Sequence, residues 1–177
     1  MERSVKRLME DREKRREENL GKYIEQLSHE NISYRLRAAE ALGACADMRA
    51  VEPLIAALHD RENEVRWVAA TQALGKLRDA RAVEPLLPLL TDSDRWARRG
   101  AAWSLGEIGD PRAVDPLLPL LADKKMDVRI AAADALGKLH DPRVAGALSA
   151  ALEGEEEPEV RTAIRRALRE ITGEAEL

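Results

Sequence analysis

The 177 residues carry 29 basic against 33 acidic side chains, a formal balance of −4, and 45% of them are hydrophobic with no Phe and 3% aromatics. That balance argues against a general nucleic-acid binder, which needs a phosphate-neutralising excess, and a core without Phe has to be assembled from Ala, Leu, Val and Ile. A single cysteine, Cys45, excludes an internal disulfide framework and fits a reducing compartment.

Residues 1–19 hold seven basic and six acidic side chains, with Val5, Leu8 and Met9 as the apolar residues at helical spacing. They contain no apolar leader segment, and no later stretch is long and apolar enough to span a bilayer, so a soluble cytoplasmic protein is expected. The segment reads as a charged capping helix, a loosely ordered extension or a partner-binding arm.

From residue 20 onward a repeat takes over. Ala41-Leu42-Gly43, Ala73-Leu74-Gly75, Ser104-Leu105-Gly106 and Ala135-Leu136-Gly137 place their glycines 32, 31 and 31 residues apart. Eight residues after the first three glycines begin Val51-Glu52-Pro53, Val83-Glu84-Pro85 and Val114-Asp115-Pro116. Leu20-Gly21-Lys22 falls in the same register, and a degenerate last copy runs to Ile171. The units are therefore about 20–47, 48–78, 79–109, 110–140 and 141–173, with 174–177 as a tail. Each divides into a short first helix and an Ala-rich second helix, both with apolar residues at three- and four-residue spacing.

Two charge patterns recur. Asp47-x-Arg49, Asp79-x-Arg81, Asp110-x-Arg112 and Asp141-x-Arg143 punctuate the repeats, with the Asp suited to cap a helix. Within the hairpins, Asp60, Asp92 and Asp123 precede Arg66, Arg98 and Arg129 by six residues. Stacking is expected to join these into a ladder of charge-assisted hydrogen bonds. His29 and Gly154 take the turn Asp's place at the two ends. Pro88 and Pro119 should bend first helices at equivalent sites. The second repeat has one residue more between Val65 and Gly75 than its neighbours, which predicts a bulge near Val68 to Gln72 or a shifted helix start.

The wording Val-Arg, Ala-Leu-Gly and Asp-x-Arg-Ala-Val-Glu-Pro-Leu-Leu resembles the short HEAT-like repeats of the phycobilisome-lyase type, from Leu20 to Ile171. The resemblance implies an all-α, right-handed α-solenoid of about five two-helix repeats with the second helices lining a concave groove. It also implies several functions: bilin attachment, assembly factors, appendages of enzymes, and scaffolds for artificial binders.

Little in the sequence reads as catalytic. His29, His59 and His140 occupy three different places in the repeat, and Cys45 aligns with Leu77, Ile108 and Leu139 as a core residue. No metal, cofactor or nucleophile is expected from them. Some helical-repeat hydroxylases carry paired His-Glu motifs, but only His29-Glu30 matches. The tryptophans stand out instead. The groove positions implied by the resemblance are Arg95, Trp96, Arg99 and Trp103 in the third repeat, and Glu64, Trp67 and Val68 in the second. The fourth contributes Met126, Ile130 and Asp134, and the first Leu36 and Arg37. Trp and Arg concentrated on one helix are the composition of an interface centre. The leading reading is a non-catalytic scaffold or assembly factor that binds a protein or peptide in this groove. A bilin-lyase-like or cofactor-maturation chaperone subunit is the alternative, and a DNA-glycosylase-like binder the minor one.

Overall fold

Each Asp-x-Arg triplet closes on itself. Asp47, Asp79, Asp110 and Asp141 accept from the backbone N–H of Arg49, Arg81, Arg112 and Arg143 at 2.9–3.0 Å, and from the same arginines' guanidinium groups. The clasp satisfies an amide that a helix start leaves without a partner. Three of the arginines also reach back one repeat, Arg49 to Glu17, Arg81 to Glu52 and Arg112 to Glu84.

The clasps set an acid limit on the fold. Their hydrogen bonds hold the four carboxyls below the ordinary aspartate value of 3.8, Asp47 at about 2. A group that titrates lower in the folded chain binds protons more readily when unfolded, so its stabilisation is present above about pH 4 and lost as pH falls. Helicity followed from pH 5 to 2 should fall in that lower window, and Asp47→Asn should shrink the pH dependence. A flat profile across pH 4 to 2 would show that the clasps contribute nothing.

The computed structural model describes residues 2–173, side chains at 2–5, 8 and 70–72 excepted, and every regular element there is helical. The first repeat is α1 (Glu2–Gln26) with α2 (Ile32–Ala44). In the second, α3 (Val51–Ala57) packs on a helix made of α4 (Asn63–Val68), a π-helical turn (Ala69–Leu74) and α5 (Gly75–Leu77). Then follow α6 (Val83–Leu86) with α7 (Arg95–Ile108), α8 (Val114–Leu117) with α9 (Met126–Leu139), and α10 (Ala145–Gly154) with α11 (Pro158–Thr172). The tail at 174–177 lies outside the described residues. α1 crosses residue 20 without a break, so from Glu2 on the charged segment is the first repeat's own first helix, prolonged. Glu17, about one turn before the place of Glu52 and Glu84, supplies the same contact to Arg49.

Local departures have local causes. Pro88 and Pro119 tighten the first helices into 3₁₀ turns at Leu87–Thr91 and Leu118–Ala122, whereas α3, with Ala56 at that place, stays α-helical. The extra residue of the second repeat is absorbed by the π turn, which keeps Val65, Val68, Leu74 and Leu77 all facing the core.

Second helices stack directly on one another, and small residues permit the approach. A Cβ on Gly106 would stand 2.7 Å from the Ala135 Cα, and one on Gly137 would stand 3.0 Å from the Ala167 Cα. The core is a continuous run of Ala, Leu and Val between the layers.

The arginine ladder joins neighbouring repeats. Arg98 donates through Nη1 to the carbonyls of Asp92 and Ser93 in its own turn, and through Nε and Nη2 to Asp123 of the next repeat at 2.7 and 3.0 Å. Arg129 does the same with the Asp123 carbonyl and the Glu155 carboxylate. The six-residue spacing thus brings each arginine to its own aspartate's carbonyl, and the carboxylate comes from one repeat on. Asp60 consequently pairs with Arg35, outside the expected set, at 2.8 Å. Glu155, six residues before Arg161, holds the last turn position rather than Gly154. One rung is weak: Arg66 turns to Asn63 Oδ1, stands 3.9 Å from Asp92, and leaves its Nε buried without a hydrogen-bond partner.

Candidate functional site

The exposed face of the second helices carries the candidate residues. Asp94 caps α7 by accepting from the Trp96 N–H at 2.9 Å, which fixes Arg95 and Trp96 as its first two residues. Helical spacing then places Arg99 and Trp103 on the same stripe. The Arg95 and Arg99 guanidinium carbons lie 4.4 and 5.5 Å from the Trp96 ring centroid, within cation–π range. Across the repeat boundary the Trp67 ring is 6.0 Å from that of Trp96 and tilted by 55°. Trp96 is 40% exposed, while Trp67 and Trp103 are half-buried.

Two hollows flank Trp67. One, of about 500 Å³, is lined by Arg61, Glu62, Asn63, Glu64, Asp94 and the rings of Trp67 and Trp96. The other, of about 310 Å³, has Trp67, Trp103, Ile130 and Ala131 as its apolar lining and Lys76, Arg99, Asp127 and Asp134 as its charged edge. Trp96 and Trp103 therefore belong to different hollows, and Trp67 is the ridge between them. Trp103 lies against the backbone of Gly75, where a Cβ would come within 2.4 Å of the ring. On its other side Lys138 Nζ stands 5.9 Å from the ring centroid. Lys138 also pairs with Glu107, which Arg78 holds at 2.6 Å. Burial alone would raise the Glu107 carboxyl, but these two cations outweigh it and keep it below its ordinary range.

The remaining expected residues divide. Ile130 and Asp134 line the smaller hollow, and Asp134 is tied to Arg166. Met126 is exposed at the first position of α9, outside both hollows, and Leu36 is half-buried with Arg37 exposed on α2. Val68 does not face the groove. It is buried, 3% exposed, and lines neither hollow. Lys76, Asp127 and Lys138 were not among the expected groove residues. Lys76 and Lys138 directly follow a repeat glycine, and Asp127 is in register with Trp96, so the repeat alignment contains the signal. The histidines are structural where they have partners. His29 Nδ1 accepts from the Asn31 N–H in the turn, and His140 caps α9 with a left-handed backbone at φ 50°. Cys45 donates from Sγ to the Leu42 carbonyl beside the core. Among the described residues no group of His, Cys, Asp and Glu is arranged to hold a metal, and no helix is long and apolar enough to cross a membrane.

No curated protein matches the chain. Among solved structures, it is similar to a chain of the complex of CpcE and CpcF of phycocyanin lyase from Nostoc sp. PCC7120, with 29% identity and a TM-score of 0.77. That match covers 86% of this chain and 64% of the other, so the chain spans less than two thirds of that relative's length. An engineered protein matches with 25% identity and a TM-score of 0.68 over 87% of this chain and 79% of its own. A designed armadillo repeat protein in complex with the peptide (KR)4 shares the fold at 20% identity and a TM-score of 0.62, over 85% and 80%. The family profile of HEAT repeats matches residues 22–103 and 83–169. With the stacked two-helix units and their arginine ladder, this makes the chain a member of the HEAT repeat family.

Proposed function

We propose that this solenoid is a non-catalytic scaffold that captures a protein or peptide segment on its second-helix face, centred on Trp67 and Trp96. The observation that carries this reading is the tilted Trp67–Trp96 pair between two hollows, with Arg95 and Arg99 stacked on the exposed ring. Aromatic and arginine side chains grouped on an otherwise Ala- and Leu-built protein are what interface centres use. A partner residue entering either hollow meets the Trp67 ring. The charged edges then favour a segment that alternates apolar and polar side chains.

Peptides selected from a displayed library against the wild type provide the test. Trp96→Ala should weaken their binding by about 2 kcal/mol, roughly 30-fold, and leave the melting temperature nearly unchanged because Trp96 is half in solvent. Trp103→Ala is a poorer probe, since Trp103 packs on Gly75 and its loss also loosens the joint. Selected peptides that bind Trp96→Ala and Trp67→Ala as tightly as the wild type would overturn the reading.

The likeness to a chain of the phycocyanin lyase complex supports a second reading, a subunit that holds a bilin or a cofactor-bearing protein during maturation. A red-shifted bilin absorbance band on mixing with the protein, lost in Trp67→Ala, would favour it over the first.

A further inference from the structure

The last arginine of the ladder faces outward. Arg161 repeats the inner half of the rung, donating from Nη1 to the carbonyls of Leu152 and Glu155 at 2.9 and 2.8 Å. In Arg35, Arg98 and Arg129 the opposite edge, Nε and Nη2, grips a carboxylate of the following repeat. Among the described residues no carboxylate takes that edge of Arg161, although its guanidinium is half-buried and held in the same manner.

The face of α11 beyond Arg161 lacks the small residues on which the preceding second helices stack. Where α9 presents Ala133 and Gly137 to its neighbour, α11 carries Arg165 and Arg169, four and eight residues after Arg161. The Gly137 position approaches the Ala167 backbone so closely that even a Cβ is crowded, so an arginine at that place blocks helix stacking. That face is instead a stripe of three arginines on a chain whose formal charge is −4.

We propose that this C-terminal end is a carboxylate-recognition site for an acidic segment of a partner protein. A carboxylate docks on the pre-aimed fork of Arg161, and Arg165 and Arg169 attract the acidic residues beside it. The fork is planar and bidentate, the geometry that the internal rungs already use on Asp and Glu. The site is separate from the tryptophan face and stands independently of its function.

A fluorescein-labelled hexaglutamate peptide at low salt is the probe, read by anisotropy. Arg161→Lys keeps the charge but loses the fork, and it should weaken binding at least tenfold. Arg165→Ser with Arg169→Ser should do the same without touching the core. Arg7→Ser with Arg12→Ser, which removes equal charge from the exposed part of α1, should change binding less than twofold. Equal losses in the α1 and α11 variants would reduce the effect to net charge and overturn the proposal. So would tighter binding of a single-stranded DNA of equal charge. The chain's own Glu174 and Glu176 are a rival occupant: a tenfold gain in peptide affinity on truncation after Gly173 would assign the arginines to them and overturn the partner. If Arg161→Lys lowers the melting temperature, the Arg165 and Arg169 pair alone decides.

Discussion

Replacing Arg98 by Ala is expected to lower the unfolding free energy by about 3–5 kcal/mol, the cost of breaking a buried ion pair from one side. The residue is 6% exposed and its side chain makes four hydrogen bonds, two to the Asp123 carboxylate and two to backbone carbonyls. Burial pushes the Asp123 carboxyl up, yet the Arg98 fork and the Lys125 N–H hold it below the ordinary value, so it is a buried anion. Without Arg98 that charge has no guanidinium, and two carbonyls of the turn lose their donor. Arg112 supplies the contrast. It too pairs with aspartate and glutamate, but it is half-exposed, and surface pairs contribute about 0–1 kcal/mol. Urea unfolding of the two alanine variants measures the difference. If Arg98→Ala costs no more than Arg112→Ala, the ladder is decoration. Replacing Arg98 and Asp123 together by Met and Leu should recover much of the loss, because no buried charge is then left alone.

Gly106→Val is expected to destabilise by about 3 kcal/mol, at the upper end for overpacking. The atoms a side chain would strike are the Cα and Cβ of Ala135, at 2.7 and 2.8 Å, and a helix backbone packed on both sides cannot step aside. Valine also has no advantage as a helix former to offset the clash. At this chain length such a loss lowers the melting temperature by roughly 6–12 °C. Gly146→Ala predicts the opposite sign. Nothing lies within 4 Å of its Cβ, so relief of glycine's backbone entropy should stabilise α10 by about 0.5–1 kcal/mol. Equal effects of the two substitutions would refute close helix approach as the reason for the repeat glycine.

Repetition made the fold legible. Recurring glycines, Asp-x-Arg loops and Val-Glu-Pro starts set the repeat register, and of the two ways to absorb the extra residue before Gly75, a bulge or a shifted helix start, the structure shows the bulge, as a π turn. Positions without a repeated partner were less legible. Val68 was a groove residue by the resemblance, but it lies one helical step, about 100°, from Trp67 and is turned into the core. Gly154 looked like the last turn residue, although counting six back from Arg161 finds Glu155. The separation of Trp96 and Trp103 into two hollows was beyond reach, because it depends on where Trp67 from another repeat comes to lie.

The weak rung has a mechanical consequence. The bidentate forks at Asp60, Asp123 and Glu155 fix the angle between their repeats, whereas Arg66, diverted to Asn63, leaves Asp92 at 3.9 Å. Apolar packing continues through that joint, so the stack stays whole while the polar brake on bending is released at one place. The solenoid is a spring with one soft coil, and the soft coil lies beneath Trp67. Both hollows draw their lining from the two sides of that joint, so the least braced boundary of the stack is the one that the tryptophan face spans.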